Sequence, residues 1–201
     1  MQYQINITFS PAGLKQVYAS GESVTVAKDL PNGGGFPIAW LTFRPLQSNQ
    51  VTWHDNYSIY TTATPLVPGA VLSMSSQTGT AQPGWLYSFQ SGVFEGKAGT
   101  GNAYSALNLA ASPYSSVFGL AQTANINGVS VSAPVNAAQV SANQESSFTP
   151  GEAVAIFLSM VRNPGTVMDG GFANALTLDL TPQHPMASVV YDELANAFRQ
   201  A

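Results

Sequence analysis

The sequence predicts an all-β protein, an antiparallel β-sandwich of jelly-roll or related type, with one short helix after the first strand. Three observations carry this expectation. Apolar and polar residues alternate with period two from end to end, clusters of Gly, Pro and Asn punctuate the alternating runs, and only the segment after Ser10-Pro11 shifts to a helical spacing.

Tyr3, Ile5, Ile7 and Phe9 fall on one side of a first strand and Gln4, Asn6 and Thr8 on the other, which gives that strand one wet face. Ser10 then offers a capping hydroxyl and Pro11 suits the first helical position. Leu14 and Val17 form a small apolar stripe that Ser20-Gly21 closes. Further strands are expected at 23–28, 36–44, 51–62, 70–75, 85–90, 104–109, 117–123, 129–140, 153–160, 176–181 and 188–192. Between them lie turn formers: Pro31-Asn32-Gly33-Gly34-Gly35, Pro68-Gly69, Gln82-Pro83-Gly84, Asn127-Gly128, Asn163-Pro164-Gly165 and Asp169-Gly170-Gly171. The run from Phe36 to Arg44 is apolar on both sides, Phe36, Ile38 and Trp40 against Ala39, Leu41 and Phe43, which predicts a central strand covered on both faces. In the tail, Val190, Leu194 and Phe198 stand at helical spacing, and the reading there is a strand followed by a terminal helical turn. With 201 residues, no fixed-period repeat and no low-complexity linker, residues 1–201 are expected to form a single domain.

Charge is the unusual quantity. Only 8% of residues are charged, about a third of the ~25% usual for soluble domains, and 62 Ser, Thr, Asn and Gln residues carry the polarity instead. Six scattered cations against ten acids, net −4, cannot form the basic stripe that a phosphate backbone requires, so nucleic acid is not an expected partner. Electrostatic docking on anionic lipid is excluded on the same ground, and any membrane contact must be uncharged. The absence of cysteine removes disulfides, thiolate metal sites and Cys nucleophiles together. The N-terminal residues alternate rather than presenting a charged and then an apolar region, so the expectation is cytoplasmic synthesis without a signal peptide, followed by release to act outside the cell. No apolar run is long enough for a transmembrane helix.

Catalytic signatures are sparse. His54 and His184 are the only side chains whose ordinary titration falls near neutrality, and His184 sits in a Gln-His-Pro loop context. There is no G-x-S-x-G elbow, H-E-x-x-H, EF-hand loop or Walker motif, and Gly33-Gly34-Gly35 lacks the cation and the helix of a phosphate cradle. Asp29, Asp55, Glu95, Asp169 and Asp179 lie in or beside expected strands without forming a recognisable pair. No catalytic residue, metal ligand or cofactor is assigned.

Two segments stand out for recognition. Read as one strand, Val51–Tyr60 places Val51, Trp53, Asp55, Tyr57 and Ile59 on one face and Thr52, His54, Asn56, Ser58 and Tyr60 on the other. A row of neutral hydrogen-bonding groups near aromatic rings suits a sugar, whose hydroxyls need fixed donors and acceptors and whose apolar face packs on Trp or Tyr. The candidate ligand-binding residues are therefore Trp53, His54, Asn56, Ser58, Tyr60 and Trp85, the last following a Pro83-Gly84 turn. The second segment lies in a stretch of 89 residues between Asp55 and Glu145 that holds only two charges, Glu95 and Lys97. There Val129, Val131, Ala133 and Val135 alternate with polar residues in the rhythm of a bilayer-spanning strand, and they are the candidate membrane-interacting residues. Pro134 opposes a continuous hairpin, because it removes a ladder donor and belongs at an edge or a bulge.

In general character, cysteine-free, poor in charge and rich in Ser, Thr and Asn, the chain is similar in type to small defence lectins and water-soluble pore-forming proteins. The functional expectation is a non-enzymatic recognition protein that binds a cell-surface glycan or lipid head group, with a cytolytic or insecticidal toxin as its sharper form. Membrane association and homo-oligomerisation are compatible with it. A carbohydrate hydrolase with acids from separate strands and a self-assembling structural or storage protein are the alternatives.

Overall fold

A computed structural model describes residues 1–28, 37–110, 116–170 and 174–201. Alternation becomes strand at the N-terminus: β1 (Gln2–Thr8) buries Tyr3, Ile5 and Ile7 and leaves the residues between them wetter. The helix α1 (Pro11–Ser20) starts where Ser10, extended at ψ 158°, accepts a hydrogen bond from the Gly13 amide at 2.9 Å, with Pro11 in the first turn. It ends at Gly21, whose φ of 73° is the left-handed conformation that glycine adopts without strain.

The strands that follow are β2 (Ser23–Lys28), β3 (Ile38–Ala39), β4 (Leu41–Phe43), β5 (Ser48–His54), β6 (Ser58–Thr62), β7 (Ser76–Gln77), β8 (Trp85–Gln90), β9 (Val93–Ala98) and β10 (Tyr104–Asn108). After these come β11 (Ser116–Ile126), β12 (Val129–Pro134), β13 (Ala138–Val140), β14 (Glu145–Phe148), β15 (Ala153–Ser159), β16 (Thr166–Val167), β17 (Leu176–Asp179), β18 (Met186–Asp192) and β19 (Ala197–Gln200). Strand accounts for 54% of the described residues and helix for 5%, so the protein is a β-sandwich with, among those residues, a single short helix after its first strand.

A large sheet runs β19-β18-β1-β5-β11-β6-β7, with β12 and β13 also paired to β11. Two four-stranded sheets, β17-β15-β2-β4 and β14-β10-β8-β9, complete the layers with a two-stranded β16-β3. One core cluster takes side chains from all three larger sheets, including Ile5, Trp53 and Leu120 from the large one, Val26 and Ile156 from the second and Tyr104 and Ala106 from the third. Among the described residues, pairing is antiparallel except between β1 and β18 and between β8 and β10, which are parallel.

Several sequence expectations are corrected. The run 51–62 is not one strand. Its two parts, β5 and β6, lie end to end along β11, with Trp53 opposite Ala124 and Ser58 opposite Ala121, so the register slips by two residues across Asp55-Asn56-Tyr57. An even slip keeps the faces, which is why Val51, Trp53, Tyr57 and Ile59 remain buried together while Asp55 is expelled to solvent. The run 129–140 is likewise two strands, slipped by one residue at Val135-Asn136-Ala137, and Pro134 closes β12 at the bulge. Segment 70–75 makes only an isolated bridge, Val71 to Thr166. In place of a terminal helical turn, the tail forms the β18–β19 hairpin. Within 36–44, Ile38 to Thr42 are all buried, as a covered strand requires, but the run divides into β3 and β4, and Phe36 lies outside the described residues. Asp29, the 31–35 turn and Gly171 lie outside them too.

The Asn127-Gly128 turn joins β11 and β12 with φ of 52° and 90°, the two-residue hairpin its sequence predicts. Gly119 answers a tighter demand. A Cβ there would lie 2.1 Å from the Asn136 carbonyl oxygen and 2.7 Å from Tyr60 Cε1. Gly119→Ala is therefore expected to lower the unfolding free energy by roughly 1–3 kcal/mol or more in denaturant titration. Gly79→Ala, where a Cβ meets nothing within 4 Å, is expected to stay within about 0.5 kcal/mol of the parent.

Candidate functional site

Two arrangements concentrate polar chemistry, one sealed in the core and one open on the surface. The sealed one joins the two strands that Lys28 and Glu152 adjoin. Val24, Val26 and Lys28 share one face of β2, and Glu152, Val154 and Ile156 share one face of β15, so both charges continue an apolar row into the interior. Lys28 pairs with Val154 across the ladder, and its Nζ lies 2.5 Å from Glu152 Oε2. Trp53 Nε1 donates to the same oxygen at 2.8 Å, and the Tyr57 hydroxyl donates to Oε1 at 2.7 Å. The ammonium also stands 5.0, 4.9 and 5.9 Å from the ring centroids of Trp40, Trp53 and Tyr57. Burial pushes the Lys28 ammonium below its ordinary pKa, opposed by the Glu152 carboxylate. Burial first and Glu152 second push the Tyr57 hydroxyl upward.

The open arrangement sits where β7, β6, β11 and β12 lie side by side. A cleft of about 190 Å³ is lined by Asn56, Tyr57, Ser58, Gln77, Thr78, Thr80, Ala121, Thr123 and Ser132. No acid or cation is among them. The Thr78 hydroxyl is engaged, accepting from the Ile59 amide at 3.0 Å and donating to the Gly79 carbonyl at 2.7 Å. The side chains of Asn56, Ser58, Gln77, Thr80, Thr123 and Ser132 make no hydrogen bond to any described residue, so their donors and acceptors face water or a ligand. The bulge that separates β5 from β6 delivers Asn56 and Ser58 to this cleft.

Of the six ligand-binding candidates from the sequence, the structure brings together only Asn56 and Ser58 in the cleft. Trp53, 2% exposed, belongs to the main core, and Tyr60 is fully buried in a second cluster with Ile38, Leu72 and Val117, its hydroxyl donating to the Asn136 carbonyl at 2.8 Å. These rings are packing groups. His54 is exposed at the end of β5, and half-buried Trp85 stacks on Tyr87 in another sheet at a 6.3 Å centroid distance. Gln77, Thr78, Thr80, Thr123 and Ser132 escaped sequence reasoning because they come from three other segments, and only the strand pairing assembles them. Of the membrane candidates, Val129 is 64% exposed and Val131 half-buried, while Ala133 and Val135 are core residues. Insertion of that strand would have to pull the last two out of their packing.

Elsewhere, a wider groove of about 1000 Å³ runs past Thr61, Thr64, Leu66, Phe89, Val117 and Ala138, apolar with scattered hydroxyls and without a sequence-predicted site residue. His54 and His184 are exposed at separate places, and among the described residues neither imidazole reaches a carboxylate. Among those residues, no group of three His, Asp or Glu is placed to hold a metal ion. Among the described residues, no helix is long and apolar enough to cross a membrane. No known protein family matches the chain, and neither curated proteins nor solved structures provide a match.

The buried phenols set an alkaline limit on the fold. Desolvation raises Tyr57, Tyr60, Tyr104 and Tyr191 above the ordinary value of 10.0, so the folded state keeps protons that the unfolded chain releases. Their contribution is complete below pH 10 and falls as pH rises further. Lys28 shifts the other way and drops out above its unfolded value of 10.5, where it is neutral in both states. An alkaline titration is expected to show the last tyrosinate absorbance appearing together with loss of the β-sheet circular dichroism signal. Full ionisation of all eight tyrosines in a chain that keeps its sheet signal would contradict this.

Proposed function

We propose that the protein is a non-enzymatic recognition protein that binds the hydroxyl groups of a cell-surface glycan through the cleft between β7, β6, β11 and β12. The single observation that supports this reading most strongly is the convergence of six uncommitted neutral side chains, Asn56, Ser58, Gln77, Thr80, Thr123 and Ser132, in one concavity without a charge. Sugar hydroxyls act as donor and acceptor at once and carry no charge, so hydroxyl and carboxamide partners satisfy them without stranding an ion. The volume suits one sugar residue of a longer chain. Because the one aromatic residue among the described lining, Tyr57, is buried, affinity comes from hydrogen bonds, and the reading favours repeated weak contacts over one tight one. Release of the protein to meet its target outside the producing cell belongs to the same proposal.

A glycan array followed by titration against the best hit tests it. Ser132→Ala and Thr123→Ala remove exposed hydroxyls, each worth ~0.5–1.5 kcal/mol, and are expected to weaken binding roughly 2- to 12-fold with the melting temperature unchanged. Sugar-inhibitable agglutination without dye release from glycan-free vesicles is the expected behaviour. Dye release that sugars do not inhibit would overturn the glycan reading in favour of lipid-directed lysis by the β11–β12 hairpin.

A further inference from the structure

The pair in the core is placed for chemistry of its own. Lys28 has a side chain that is 2% exposed and Glu152 one that is 14% exposed, so a dissolved substrate does not reach the amine, and the oxygen that the amine touches is bonded directly to an electrophilic carbon, Cδ of Glu152. We propose that Lys28 and Glu152 condense after folding into a side-chain amide, a covalent cross-link between the end of β2 and the entry to β15.

The step balances within the pair. A proton passes from the Nζ ammonium to Oε2 across the 2.5 Å contact, leaving an amine and a carboxylic acid. The amine lone pair attacks Cδ and forms the Nζ–Cδ bond, and Oε1 takes up the negative charge where the Tyr57 hydroxyl already donates to it at 2.7 Å. A second Nζ proton moves to Oε2, the Cδ–Oε2 bond breaks and one water leaves. Ammonium plus carboxylate therefore become amide plus water, with no oxidant, activator or metal required. Oε1 remains as the amide oxygen, still accepting from Tyr57, and Trp53 Nε1, which donates to Oε2 at 2.8 Å, holds the leaving oxygen in place.

Three physical effects favour the step. Held partners act at effective molarities that reach on the order of 10⁵–10⁸ M in well-oriented intramolecular reactions, which removes the entropic barrier that makes the same condensation slow between separate molecules. Condensation also replaces two desolvated charges by a neutral group, which removes the burial penalty on both. The lowered pKa of the ammonium works in the same direction, because it raises the share of free amine. Lys28 and Glu152 are separated by 124 positions, so the link closes a loop over most of the chain and constrains its unfolded state strongly.

The test is the intact mass of the full-length protein under denaturing conditions, with peptide mapping. The folded chain is expected to weigh one water less than its sequence, to resist trypsin after Lys28 and to yield one branched peptide that contains Lys28 and Glu152. Chain kept in denaturant from the moment of isolation as an unfolded product is expected at full sequence mass, and so is Lys28→Arg, which retains the cation but does not acylate. A folded parent chain at full sequence mass overturns the proposal. A water loss that persists in Lys28→Arg, or maps to another pair, overturns it equally.

Discussion

As the chain folds, an ammonium ion buried among three aromatic rings has to be answered by an anion, and that requirement organises this fold. Each buried ion costs several kcal/mol in desolvation, and the attraction between them compensates only when the geometry is good and the remaining lone pairs are satisfied. Here Glu152 meets Lys28 on Oε2, the Trp53 indole on the same oxygen and the Tyr57 hydroxyl on Oε1. Lys28 and Glu152 belong to the β2–β15 side of the sandwich, whereas Trp53 lies on β5 and Tyr57 follows it in the large sheet. Satisfying one carboxylate therefore fixes the separation and register of two layers. In a chain with six cations, committing one to the interior leaves the surface still poorer in charge.

The same constraint reaches the candidate site. Tyr57 sits in the three-residue bulge between β5 and β6, and its hydroxyl is tied inward to Glu152 while its backbone carbonyl accepts from the Ala81 amide at 2.8 Å. The neighbours of Tyr57 on either side, Asn56 and Ser58, are thereby turned outward into the cleft. Gln122 ties the other side of the bulge, donating to the His54 carbonyl at 2.7 Å and accepting at its own backbone carbonyl from the Trp40 indole at 3.1 Å. Its Oε1 is the one buried side-chain acceptor among the described residues without a protein partner. Interior electrostatics and the surface cleft thus share one local distortion of a strand.

What could be read from the sequence was what local pattern determines. β1 followed by α1 was legible because alternation, the Ser10 cap, Pro11 and Gly21 all agree, and the Asn127-Gly128 hairpin because its turn residues demand one geometry. The bulges were not legible, since a slip of two residues leaves the alternation of 51–62 intact and gives no sign of itself. β14 stayed hidden because Glu145-Ser146-Ser147 offers no apolar alternation, and β19 because Val190, Leu194 and Phe198 fit a helical period equally well. Lys28 and Glu152 did leave a trace, each continuing the buried parity of its strand, but a charge at a strand end reads more readily as a solvated terminus. The cleft needed four strands to be placed before its hydroxyls could be seen as neighbours, whereas Trp53 and Tyr60 looked like ligand contacts because sequence cannot tell a packed ring from an offered one.

The claim that the buried carboxylate holds the bulge, and through it the cleft, is tested most directly by amide hydrogen exchange in Tyr57→Phe, which keeps the ring and deletes the bond to Glu152. Exchange should accelerate at Thr78 and Ala81, whose amides bond to the Ile59 and Tyr57 carbonyls at 2.9 and 2.8 Å, while the amides of the β1–β18 pairing keep their protection. Unchanged protection at Thr78 and Ala81, or acceleration spread evenly over the large sheet, would contradict the account.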